Sequence, residues 1–246
     1  MESKNRADNE IEHGRFLANA SAEDVWGWGT PAGQIRARRR ADFIARGAEL
    51  GPGKKVLEVG CGTGLFTELM SSSGADIVAV DISPELLALA EKRGLPADRV
   101  KFVAARFEDC ELHGPFDAIV GSSVLHHLEY RPAFARILQM LKPGGLLSFA
   151  EPNMLNPQIA IQKNIPWLKK MLGDSPDETA FVRWRLRRLL EETGFVDVTI
   201  RPFDWLHPYT PRPIIPVVKG IGFVVEMLPL LREFSGSLYI HARKPQ

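Results

Sequence analysis

The sequence predicts an α/β fold built on a mostly parallel sheet, and three observations carry that expectation. Short apolar runs alternate with helical patterns from Val56 onward, a glycine-rich turn joins the first run to a helix, and the helices between runs carry their own start and stop signals. Runs at 56–59, 77–80, 100–103, 116–120 and 146–150 read as strands, because a strand covered on both faces must be apolar throughout. Between the second and third, Ser83 supplies an N-cap, Pro84 a first-turn proline and Glu85 a first-turn acid, while Gly94 stands where the helix should stop. Another helix follows Pro132, with Phe134, Ile137, Leu138 and Leu141 spaced as one buried face and Lys142, Pro143, Gly144 and Gly145 ending it.

Upstream, Thr30 and Pro31 start a helix that runs toward Leu50, whereas the first twenty residues lack periodicity and are expected to be partly disordered. After Ala150 the rhythm breaks into a Pro- and Asn-containing stretch up to Asp177, then resumes with a helix at 181–193 and a strand at 195–200. A second long connection, 201–233, precedes a last strand at 237–243. The expected organisation is an N-terminal helical cap (1–50) followed by one α/β domain (51–246), with 152–178 and 201–233 inserted as substrate cover.

The 246 residues are 45% hydrophobic and 25% charged, enough for a sizeable core. A net charge of +1 gives no reason to expect nucleic acid as a partner. Cys61 and Cys110 form neither a disulfide framework nor a metal cluster, so no metal is expected, and the polar N-terminus lacks the apolar stretch of a secretory signal. A cytoplasmic monomer or homodimer acting on a small molecule is the expectation. The greasy segment 213–231 is too interrupted by Pro213, Pro216, Lys219, Gly220, Gly222, Glu226 and Pro229 to span a bilayer.

Residues 56–64, Val-Leu-Glu-Val-Gly-Cys-Gly-Thr-Gly, carry the strongest signal. Gly60, Gly62 and Gly64 strip side chains from a turn where backbone can approach a ligand, yet the same pattern also serves a bare strand-to-helix connection. A dinucleotide fingerprint needs glycine where Leu65 stands, and a phosphate loop needs Lys and Ser or Thr at its end. Asp81, about 20 residues past the turn, either accepts ribose hydroxyls or caps the helix after it. Glu58 is a carboxylate inside an apolar strand, costly unless a cation or donors meet it.

Taken with Phe116-Asp117, His126-His127 and Leu141-Lys142-Pro143-Gly144-Gly145, the series resembles class I S-adenosylmethionine-dependent methyltransferases of the small-molecule type, related to methyltransferase type 11. The resemblance implies a Rossmann-like seven-stranded sheet with helices on both faces and its last strand antiparallel. It implies S-adenosylmethionine as cofactor and S-adenosylhomocysteine as product. It would place Gly60 and Gly62 under the methionine part, with Cys61, Thr63 and Gly64 also binding the cofactor, Glu58 against the amino group, Asp81 on the ribose and Ile82 against the adenine. Many relatives meet the adenine amino group with an Asp after the third strand; here Arg106 stands there, followed by Phe107 and Glu108.

Methyl transfer from a sulfonium rests largely on alignment and desolvation, and a base helps when the acceptor is a hydroxyl. His126 and His127 are candidates for that base or for mere capping and packing. Ser122 and Ser123 end the fourth strand near the cofactor's methionine end, and Glu151 ends the fifth, where it could face the acceptor. Trp26 and Trp28 either face the sulfonium or anchor the first long helix. Arg36, Arg38, Arg39 and Arg40, like Arg183, Arg185, Arg187 and Arg188, read first as solvated helix faces and second as contacts for an acidic substrate or a membrane surface. No Asn-Pro-Pro-Tyr-like run follows the fourth strand, which weighs against nucleobase amines as acceptors.

The function expected is methyl transfer to a small, partly apolar molecule. A catalytically silent cofactor-binding regulatory or accessory protein is the alternative, and an oxidoreductase is disfavoured by Leu65. Trp26, Trp28, Trp205 and Phe223 are expected to line the acceptor site, the last two beneath a lid formed by 203–231, with interfacial membrane contact as the second reading of that segment.

Overall fold

The computed structural model describes residues 2–112, 114–172, 174–175 and 178–246; Met1 of the polar N-terminal run and the expected boundary at Asp177 lie outside the described residues. Seven strands, β1 (Lys55–Val59), β2 (Asp76–Asp81), β3 (Val100–Ala104), β4 (Phe116–Ser122), β5 (Leu141–Pro152), β6 (Val196–Phe203) and β7 (Ser237–Arg243), form one sheet in the order β3-β2-β1-β4-β5-β7-β6. β7 runs antiparallel to both neighbours, with Ser148 opposite His241, and the remaining pairings are parallel. The chain builds outward from β1 to β3 and then returns to place β4 on the other side of β1. Open α/β sheets bind ligands at the carboxyl ends of the strands flanking such a reversal.

Strand alternation sends Leu57 and Val59 to one face and Val56 to the other. The first face packs on α6 (Tyr130–Met140) and α9 (Arg183–Thr193) through Phe134, Ile137, Leu186 and Leu190. The second packs on α3 (Pro31–Gly47) and α4 (Leu65–Ser71) through Ala37, Ala41, Ile44, Phe66 and Met70. Thr30 caps α3 by accepting from the Gly33 amide, and Ser83 caps α5 (Pro84–Glu91) by accepting from Leu86.

Two expectations about elements are corrected, and the insertions prove to be partly helical. Residues 2–20 are ordered rather than partly disordered: α1 (Glu2–Asn19) and α2 (Ala22–Val25) fold because Leu17 and Ala22 pack on Leu86 of α5 and Arg15 pairs with Glu85. The helix after Pro132 stops at Met140, and Leu141 already pairs with Phe116 as the first residue of β5. Both insertions carry helices, α7 (Pro157–Asn164) and α8 (Pro166–Met171) in the first and α10 (Ile215–Met227) in the second. No described helix is long and apolar enough to cross a membrane.

Candidate active site

The turn after β1 is shaped by backbone geometry. Gly60, Gly62 and Gly64 have φ of 65°, 52° and 75°, a region L side chains rarely adopt. A Cβ on Gly60 would lie 2.1 Å from Val124 Cγ2, and one on Gly62 would lie 3.2 Å from the Trp26 ring. Asp81, at the end of β2, locks this turn: Oδ2 accepts from the Gly62 amide at 2.7 Å and Oδ1 from the Ser83 amide at 2.9 Å. Burial raises the Asp81 pKa, and these backbone bonds oppose the rise. Ser83, not Asp81, supplies the cap of α5, while the Asp81 carboxylate lines the cavity beside the turn.

That cavity, about 570 Å³, opens at the carboxyl ends of β1, β2 and β4, within the roughly 300–1,000 Å³ of small-ligand sites. Gly60, Cys61, Gly62, Thr63, Asp81, Ile82, Arg106, Phe107, Glu108, Ser122 and Ser123 all line it, with Trp26 and Trp28 opposite. Arg106 pairs with Glu108 and Asp109, so its charge is already met within its own loop. Burial pushes the Cys61 thiol well above its ordinary pKa, which keeps it un-ionised. Arg93 fastens the cap to the turn, donating to the Thr63 carbonyl at 2.6 Å and pairing with both Glu23 and Glu68.

Gly64 and Glu58 do not reach the cavity. Gly64 faces Ala90 of α5. Glu58 shares the strand face of Val56 and points beneath α4 toward Thr67 rather than to a bound ammonium; its Oε2 has no hydrogen-bond partner among the described residues. Burial raises its pKa to about 7, so it is substantially protonated near neutrality.

Arg40 was hidden in a cluster expected to be solvated. Only Arg38 of that cluster is exposed; Arg36 pairs with Asp204 at 2.8 Å, Arg39 pairs with Glu226 at 2.5 Å, and Arg40 is buried. Its guanidinium donates to Ser122 at 3.1 Å, Ser123 at 2.6 Å and Ser237 at 2.7 Å, and lies over the Trp28 ring. Burial, reinforced by Arg36, lowers its pKa to about 10, leaving it charged. Its spacing with Ala37, Ala41 and Ile44 was the missed signal, because Arg40 falls on their buried stripe. Trp28 packs edge-on against Phe66, anchoring α3, and also lines the cavity.

The far half of the cavity is lined by His127, Glu10, Gln158, Lys163 and Glu178 beside the apolar Leu128 and Leu172. His127 Nδ1 lies 2.9 Å from Glu10 Oε2, so α1 and the end of β4 together make a histidine–carboxylate pair. Burial works to raise the Glu10 pKa, but His127 outweighs it and holds the carboxyl below its usual range.

His126 is not free to act as a base. Nδ1 lies 2.6 Å from Glu151 and Nε2 3.4 Å from Glu178. Burial works to lower its pKa, but the two carboxylates overcome this and push it up to about 9. Glu151 does not face an acceptor: it is fully buried, accepting from the Val124 and Leu125 amides at 2.9 Å each, which fixes the turn carrying both histidines. His126, His127 and Glu178 place ligand atoms within 4.8 Å of one another, but the Lys163 ammonium already pairs with Glu178 there.

The expected lid is also corrected. Trp205 and Phe223 border a separate cleft of about 170 Å³ with Arg39 and Glu226, and the second insertion reaches the main cavity only through His207, Pro208 and Tyr209. The chain turns outward after Asp204, so α10 packs beside α3 rather than over the strand ends.

A glycine turn and an acid at the reversal point of a parallel sheet define an α/β protein built to bind a nucleoside-type ligand. A family model described as Methyltransferase domain matches residues 33–200, more than half of the chain, and the protein belongs to that family. It is 34% identical over 154 residues to the ubiquinone biosynthesis O-methyltransferase of Xylella fastidiosa (strain 9a5c), covering 59% of each chain, so it spans little more than half the length of that relative. Among solved structures it resembles the N-methyltransferase NodS from Bradyrhizobium japonicum WM9, in complex with S-adenosyl-L-homocysteine (18% identity, TM-score 0.59, 89% of this chain and 90% of that one). It also resembles the [4+2]-cyclase SpnF (23% identity, TM-score 0.60, 85% and 80%).

Proposed function

We propose that the protein transfers a methyl group from S-adenosylmethionine to a hydroxyl of a small molecule. One observation carries this reading: a single cavity joins the glycine turn and Asp81 to the His127–Glu10 pair. Bound there, the cofactor supplies an electrophilic methyl group on a sulfonium. The glycine turn and Asp81 fit its methionine and ribose parts, Arg40 sets a buried cation behind Ser122 and Ser123 for a carboxylate, and Trp26 offers a face favourable to a sulfonium.

His127 receives the acceptor's proton, and Glu10 orients the ring and offsets the charge it gains. The buried His126–Glu151 pair holds His127 in place. The cap formed by α1 and α2 excludes water from the transfer. The O-methyltransferase name of the Xylella relative supports a hydroxyl as acceptor. The test is calorimetric titration with the cofactor followed by product detection from a panel of hydroxylated acceptors. Saturable binding with no methylated product from any acceptor would favour the silent cofactor-binding alternative.

A further inference from the structure

We propose that α10 docks the protein on the surface of an anionic lipid bilayer. The helix has reversed polarity. Its one carboxylate, Glu226, turns into the protein, where it accepts from Arg39 at 2.8 and 2.5 Å and from the Asp204 amide at 2.9 Å. Gly222 sits against Trp205 on the same inward side. Outward it presents Val217, Ile221, Phe223, Val224 and Met227, each between 56% and 67% exposed, and the chain continues through exposed Leu228, Leu230 and Leu231. A contiguous apolar surface of this kind on a folded protein marks an interaction site.

The surrounding charges select the occupant. Asp204 and Glu226 are buried, so from Asp204 to Leu231 the only exposed charged side chains are the cations Arg212 and Lys219. An apolar face rimmed by cations matches an anionic headgroup layer. A second copy of the same face would oppose Arg212 and Lys219 with like charge and no acid to meet them. With 13 residues, α10 can lie in the interface plane but is too short to span. The loop before it carries His207 and Tyr209 into the main cavity, so docking would bring the cavity's acceptor end toward the lipid. The docking itself does not depend on the methyl-transfer reading.

The experiment is flotation with phosphatidylcholine vesicles, with and without phosphatidylglycerol. Wild-type protein is expected to float with the anionic vesicles and to be released as salt rises. Phe223→Asp should lower the vesicle partition by about tenfold, with melting temperature and cofactor affinity unchanged because Phe223 is solvent-facing. Exchanging Arg212 and Lys219 for Glu should abolish the preference for phosphatidylglycerol. Wild-type protein that stays unbound to both vesicles, or Phe223→Asp protein that floats as well as wild type, would overturn the proposal. So would a sedimenting dimer that Phe223→Asp dissociates in the absence of vesicle binding.

Discussion

His126 lies 2.6 Å from Glu151 where β4 and β5 end side by side, and its other ring nitrogen meets Glu178 from the first insertion. One imidazolium thus ties the sheet to the segment covering it. The adjacent His127 pairs with Glu10 of the cap and, among the described residues, with no other carboxylate, which is the basis for proposing it as the base.

Stability is therefore expected to fall on the alkaline side. The His126 pKa is raised from 6.5 to about 9 in the folded protein. Its contribution is fully present below pH 6.5 and is lost as pH rises through about 9. Melting temperature across pH 6 to 10 checks this. His126→Gln should flatten that decline while destabilising the protein overall by about 3–5 kcal/mol, because Glu151 is left buried without its counter-charge.

Exchanging His127 for Ala should lower kcat by about 10²–10⁴-fold while leaving the cofactor dissociation constant unchanged. Glu10→Gln should lower kcat by a smaller factor and alter the pH–rate profile. Steady-state kinetics with a hydroxylated acceptor and calorimetry with the cofactor together separate this from a structural role, which would move both.

Asp81→Asn should weaken cofactor binding and lower the melting temperature together. The carboxylate's two oxygens already hold the Gly62 and Ser83 amides while facing the cavity, and an amide offers a single acceptor oxygen. Loss of charge-assisted bonds worth roughly 1.5–3 kcal/mol predicts at least a tenfold rise in the calorimetric dissociation constant.

Arg40→Met should also weaken cofactor binding by about tenfold or more, and Arg40→Lys should restore part of it. An unchanged dissociation constant for the Met variant would assign Arg40 to holding Ser122, Ser123 and Ser237 alone.

The sheet was legible in the sequence because strands covered on both faces must be apolar, as at Val56, Leu57, Ile119 and Val120, and because backbone geometry at Gly60 and Gly62 admits few residues. The cavity lining from Gly60 to Ser123 followed from strand ends and the resemblance. What periodicity cannot carry is pairing between distant residues. Glu10 meets His127, Arg40 meets Ser237 and Glu226 meets Arg39 only after folding, so the cap, the buried cation and the reversed helix stayed hidden. Glu58 was misplaced because strand alternation decides its face before any ligand does.

The capped site also constrains the order of assembly. Helix α1 has a largely polar sequence; Arg15 meets Glu85 of α5 70 residues on, while the site partners His127 and Ser175 lie more than a hundred residues downstream. During synthesis from the amino end, α1 emerges without anything to dock on, and contacts of such long sequence separation form late. The sheet can close around β1 and β4 first, with the cavity completed when α1 returns. Chains released before Ser175 would possess the glycine turn and lack the Ser175 contact to Glu10 that helps hold α1 over the site.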